Sequence, residues 1–178
     1  MTSVDLDLFV LALVQSGMAT TYDLKSQAGL SVGSTSPILA RLEKGGLVEA
    51  PKAERSRGAR RFSITTAGRR HLGAGWKQLV ERRPTDTDEI LRITYIAWVM
   101  GFPEIAATFV ENSAAGLNHL AATRQAEVNQ LRGTLGGRVG GQAFRWLRAG
   151  ADAARLQAQA AALTQLGRQI KQIKTKTK

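Results

Sequence analysis

Apolar residues recur at Leu6, Phe9, Val10, Leu13 and Val14, close to the 3.6-residue period of a helix over Val4 to Gln15. Gly17 then supplies a C-terminal stop. A second, short helix runs through Tyr22, Leu24 and Ala28 to Gly29, with Thr20 or Thr21 as its cap. Leu30 to Gly33 reads as a turn. Ser36-Pro37 then reads as an N-cap with proline at the first helical position, where a missing N–H costs nothing. On this third helix Ile38, Leu39 and Leu42 are the inward residues, and Gly45-Gly46 ends it.

The period then changes. Leu47–Ala50 and Arg60–Thr65 are candidate strands. In the second, Phe62 and Ile64 alternate with Arg61, Ser63 and Thr65, as on a half-buried strand. Thr65 or Thr66 can cap a further helix, Ala67 to Arg82. Three helices, a hairpin and a helix make the order of a winged helix-turn-helix over residues 1–83.

Pro84-Thr85-Asp86 marks a boundary, and residues 84–178 read as helical throughout. Glu89 to Gly101 is apolar nearly all round, which predicts burial on most sides. Pro103 opens a long helix to about Arg132, with a stripe at Ile105, Phe109, Asn112, Gly116, Leu117, Leu120, Val128 and Leu131. The glycine-rich GTLGGRVGG, Gly133 to Gly141, reads as a hinge. A last helix extends from Gln142 to about Lys174. Leu156, Leu163, Leu166, Ile170 and Ile173 lie at heptad-like spacing there, a coiled-coil seam for a partner helix and hence a dimerisation surface. The fold class is therefore mainly α: a winged helix followed by an all-helical dimerisation domain.

Charge narrows the function. The chain carries a formal net charge of +11, which favours an acidic partner, nucleic acid above all. Between Lys52 and Arg70, seven basic residues face one acid, a local charge of +6. A solvated loop usually mixes signs, and this one hardly does. On a wing, Arg55, Arg57, Arg60 and Arg61 are placed to follow a phosphate backbone or enter a minor groove. Ser34, Thr35 and Ser36 are small donors at the start of the helix expected to enter the major groove, with Arg41 and Lys44 as expected backbone contacts.

Other chemistry finds little footing. There is no cysteine, and the two histidines, His71 and His119, lie far apart. The sequence has no HExxH, no nucleophile elbow and no phosphate-loop ending after its glycines, so neither an enzyme nor a metal or cofactor site is expected. No apolar run is long enough to span a bilayer. Asp5 and Asp7 occupy the place of a signal peptide's basic segment, so the expected setting is the cytoplasm. Tyr95 and Trp98 are the candidate lining of a pocket for a small apolar or aromatic effector.

Three segments together resemble the PadR family of winged-helix transcriptional regulators. Gly17-Met18-Ala19-Thr20-Thr21-Tyr22-Asp23-Leu24 stands where the family has a segment like G-P-L-H-G-Y-E-L. Gly33 to Leu47 corresponds to a recognition helix reading G-T-L-Y-P-L-L-R-R-L-E-E-E-G-L. Phe62 to Gly68 matches the wing end Y-x-[IL]-T-x-x-G. The resemblance implies a homodimer bound to double-stranded DNA, with Thr20, Thr21 and Tyr22 also near the duplex, and repression as its function. Ser36 replaces the family's usual recognition-helix tyrosine. Two other readings stay open: a non-specific architectural nucleic-acid binder, and a protein-interaction module.

Overall fold

The structure is a computed structural model that describes residues 3–51, 60–134 and 141–176. Its elements are α1 (Ser3–Gln15), α2 (Thr21–Ala28), α3 (Val32–Lys44), β1 (Val48–Glu49), β2 (Ser63–Ile64), α4 (Thr66–Leu79), α5 (Thr87–Val99), α6 (Pro103–Thr134) and α7 (Gly141–Lys176). The winged-helix order is present, followed by helices. The two strands pair antiparallel, Val48 opposite Ile64 and Glu49 opposite Ser63.

The chain divides into two compact units. The first holds Met1–Arg82 and Arg92–Phe102, and the second holds Arg83–Leu91 and Pro103–Lys178. The sequence pattern points to a single crossing at Pro84, but the later turns of α5 return to the first unit.

In the first unit α1 is the central helix. Every residue from Leu8 to Val14 is buried, so the expected one-sided stripe is in fact a helix covered all round. Gly75 of α4 permits this, because a Cβ there would lie 2.8 Å from a Leu8 methyl. Leu24, Leu39, Leu42, Leu72 and Leu79 close the core from α2, α3 and α4. Residues 92–102 complete it. The Tyr95 ring meets Phe9 edge-on at 5.7 Å, its hydroxyl lies 2.7 Å from that of Ser16, and Phe102 stacks on buried Trp76 at 4.8 Å.

The second unit is dominated by α6 and α7, which run antiparallel. Gly167 lies against Val110 and Glu111, and Gly150 against Val128. The buried face of α6 differs from the expected stripe. Ala106, Ala107, Phe109, Val110, Ser113, Ala114, Leu117 and Ala121 are buried, whereas Ile105, Asn112, Gly116 and Leu120 are exposed. Ala149, Ala153, Ala160, Leu163 and Ile170 answer from α7. Small side chains on both sides let the two backbones approach closely.

Candidate nucleic-acid interface

Helix α3 begins earlier than Ser36-Pro37 suggests. Ser31 is its N-cap, with extended backbone angles, and its hydroxyl accepts the Ser34 amide at 3.2 Å. Ser34 returns a hydrogen bond from its own hydroxyl to the Ser31 carbonyl at 2.9 Å. Thr35 is fully buried and donates to the same carbonyl at 3.0 Å. Of the three hydroxyls, Thr35 is thus internal and Ser34 is half-buried and engaged. Ser36 alone is exposed. Pro37 is the sixth residue of the helix instead of its first, and it has no N–H to give to the Gly33 carbonyl.

Burial of Thr35, Ile38, Leu39 and Leu42 fixes which side of α3 faces out. Gly33, Ser36, Pro37, Ala40 and Lys44 fall on the opposite side, and all are exposed. Four of these five are small, so the helix presents a low ridge with one long cation at its C-terminal end. Gly33, Pro37 and Ala40 are not among the DNA-contacting residues expected from the sequence. The spacing of Ile38, Leu39 and Leu42 alone would have placed them opposite the core.

Helix α2 leads into this surface. Thr20 is its N-cap and is buried: the Asp23 amide donates to the Thr20 hydroxyl at 3.0 Å, and the Thr20 amide donates to the Asp23 carboxylate at 3.0 Å. The capping box thus engages both the amide and the hydroxyl of Thr20. The Thr20 hydroxyl, donating at 2.8 Å, is the chief reason the Asp23 carboxyl is held below its ordinary range, against the opposing effect of desolvation. Nearby Arg61 adds to the lowering. Thr21 is half-buried, and Tyr22 is 71% exposed.

The basic residues have unequal freedom. Arg41 binds Asp7 of α1 through Nε, at 2.9 Å, and through Nη2. This bonding raises its already high pKa, so the guanidinium is charged. Arg60 binds Glu43 through Nη2 and lies over the Phe62 ring at 5.1 Å from the centroid. Arg69 donates to the Ile64 carbonyl at 3.1 Å. Lys44 and Arg61 are exposed. Arg55 and Arg57 lie outside the described residues. The stem of the hairpin is firmly placed, since the Phe62 amide donates to the Ala19 carbonyl at 2.7 Å and the Thr65 amide to that of Leu47 at 3.1 Å.

No family model matches the chain, and no curated protein matches it. Among solved structures it is similar to the crystal structure of Bacillus subtilis PadR in complex with operator DNA. The two share 16% identity over 93% of this chain and 98% of that one, with a TM-score of 0.40. A superposition that loose carries no functional weight.

The remaining expected sites fare differently. Tyr95 packs edge-on against Phe9 with its hydroxyl beside that of Ser16, and Trp98 is half-buried. A cavity of about 290 Å³ opens elsewhere, lined by Arg124, Glu127, Arg145, Arg148, Ala149 and Asp152. It is charged, not aromatic. In the heptad seam of α7, Leu163 and Ile170 are buried against α6 of the same chain, so their partner helix is internal. Leu156 and Leu166 are half-buried, and Ile173 is exposed. Phe144 and Leu147 are also exposed on α7, at 67% and 59%. Among the described residues no cluster of three or more potential ligands could hold a metal, and no helix is long and apolar enough to cross a membrane.

Proposed function

We propose that this chain is a DNA-binding transcriptional regulator that acts as a homodimer and represses by occupying its operator. The observation that carries the reading is the outward ridge of α3, small at Gly33, Ser36, Pro37 and Ala40 and cationic at Lys44, beside a hairpin rich in arginine. The major groove admits an α-helix, and a face this low would let the helix backbone come close to the base edges. Ser36 would donate to a base edge or phosphate. Pro37 and Ala40 would touch thymine methyl groups, and Lys44 would take a phosphate or a guanine edge. Arg61, with Arg55 and Arg57, would follow the backbone on the wing side. Thr21 and Tyr22 would meet the backbone at the start of α2.

Dimerisation would use the parts of α7 that α6 leaves uncovered, Phe144, Leu147 and Ile173, with the half-buried Leu156 and Leu166 beside them. A two-fold pair of heads would then read a palindromic site.

Selection of binding sites from a genomic fragment pool, followed by salt-titrated affinity for the winner and a scrambled duplex, tests the proposal. An enriched palindrome that wins by about 10³ or more supports a site-specific regulator. Binding with no winner makes the chain a charge-driven architectural protein. Failure to bind DNA at all sinks both readings and leaves the basic face to an acidic protein.

A further inference from the structure

We propose that Asp7 and Glu43 are built-in counter-ions that weaken the grip of the α3 surface on DNA in general, so that charge alone does not hold the protein on any duplex. The inference rests on the preceding reading of that surface as DNA-facing.

Arg41 and Glu43 lie two residues apart on α3, so about 200° of rotation puts them on opposite flanks of the ridge. Each flank carries one arginine and one carboxylate. On the first, Arg41 is held by both oxygens of Asp7 from α1. On the second, Glu43 holds Arg60 from the hairpin stem. In both pairs the carboxylate is the more covered member. Asp7 and Glu43 are 17% and 31% exposed at the side chain, against 49% for each arginine.

A phosphate arriving from solvent therefore meets the guanidinium first, with the carboxylate behind it. The fork is not blocked, because Arg41 spends two of its five donors on Asp7 and Arg60 spends one on Glu43. Its charge, however, is already balanced. Non-specific binding draws almost wholly on charge and counter-ion release, so two balanced arginines lower it. Contacts made by Ser36, Pro37 and Ala40 to base edges carry no charge and are untouched. The pairs thus cost the protein affinity for arbitrary DNA while leaving its discrimination intact.

The test is Glu43→Gln, which keeps the side chain's length and its carbonyl acceptor and removes the charge. Dissociation constants for a short mixed-sequence duplex are measured against salt for four proteins: wild type, Glu43→Gln, Arg60→Ala and the double variant. One unbalanced cation adds about 0.9 to the log–log salt slope, equivalent to at most about 8-fold at 0.1 M salt. The expected gain for Glu43→Gln is therefore about 3- to 8-fold, with the steeper slope, and it disappears in the Arg60→Ala background. Asp7→Asn should behave alike on the other flank, which guards against a folding defect peculiar to position 43.

Unchanged or weaker binding by both carboxamide variants overturns the inference and makes the pairs struts that position the arginines. A gain that survives Arg60→Ala also overturns it, since the effect is then general charge. If wild type and variants alike fail to bind DNA, the proposed function falls and takes this inference with it. If wild type binds and the variants do not differ from it, only the inference fails.

Discussion

At Gly68, the third residue of α4, a Cβ would sit 2.0 Å from the Leu47 carbonyl oxygen and 2.8 Å from Cγ1 of Ile64. Ordinary carbon–oxygen contact is more than an ångström longer, and the nearer obstacle is backbone that cannot rotate away. That carbonyl is also fixed in place, accepting from the Thr65 amide at 3.1 Å and the Thr65 hydroxyl at 3.2 Å. Gly68→Ala must therefore push the start of α4 off the stem of the hairpin. Overpacking of this kind costs about 1–3 kcal/mol. Disturbing the Thr65 cap, which takes the Gly68 amide at 3.0 Å, adds about 1 kcal/mol. The higher helix propensity of alanine returns about 1 kcal/mol. The net loss is about 1–3 kcal/mol, a fall of roughly 5–15 °C in the melting temperature of a unit this size. Thermal melting followed by circular dichroism reads it. Gly116→Ala is the paired control: no atom lies within 4 Å of the new methyl on an exposed turn of α6, so stability should rise by up to about 1 kcal/mol. If Gly68→Ala melts at or above the wild-type temperature, the close-approach argument is wrong.

Leu163→Ala should cost about 2–5 kcal/mol, because the side chain is 2% exposed between α6 and α7, and denaturant unfolding measures it. Ile173→Ala should change the stability of the α6–α7 pair by less than about 0.5 kcal/mol, yet weaken self-association in sedimentation; a dimer unaffected by it and by Phe144→Ala would remove that surface from the interface. The Asp23 carboxyl is held below its ordinary value of 3.8, so its stabilisation is complete above that pH and is lost as pH falls through its lower folded value. The stability difference between wild type and Asp23→Asn should accordingly stay constant from neutral pH down to about 5 and shrink below 3.8, and a difference that grows on acidification would contradict the capping geometry.

Much of this architecture is written in local signals. The Thr20 and Thr65 caps, the glycine ends at Gly17 and Gly46, and the alternation at Phe62-Ser63-Ile64 depend on neighbours a few residues away, and each element appears where its signal lies. The start of α3 misleads because two capping signals compete. Ser31, three residues before Ser34, prevails over Ser36-Pro37, since a helix begun at Ser31 buries Thr35 together with Ile38, Leu39 and Leu42. The inner face of α6 is hard to read because alanine contributes little apolar signal, yet permits the close approach that decides which side is buried. Leu163 and Ile170 advertise a partner helix without saying whether it belongs to the same chain. Arg41–Asp7 and Arg60–Glu43 join residues 34 and 17 positions apart, and no local pattern encodes such pairs.

The return of residues 92–102 to the first unit has a consequence for how the chain comes to be folded. During synthesis the winged helix has all its named elements once Leu79 has emerged, but Trp76 still lacks Phe102, and Phe9 and Ser16 still lack Tyr95. Its hydrophobic centre stays open until more than twenty further residues have left the ribosome. A fragment cut at residue 83 would carry every side chain proposed to face DNA and remain short of its own core, whereas one ending just beyond Phe102 would hold the whole of it.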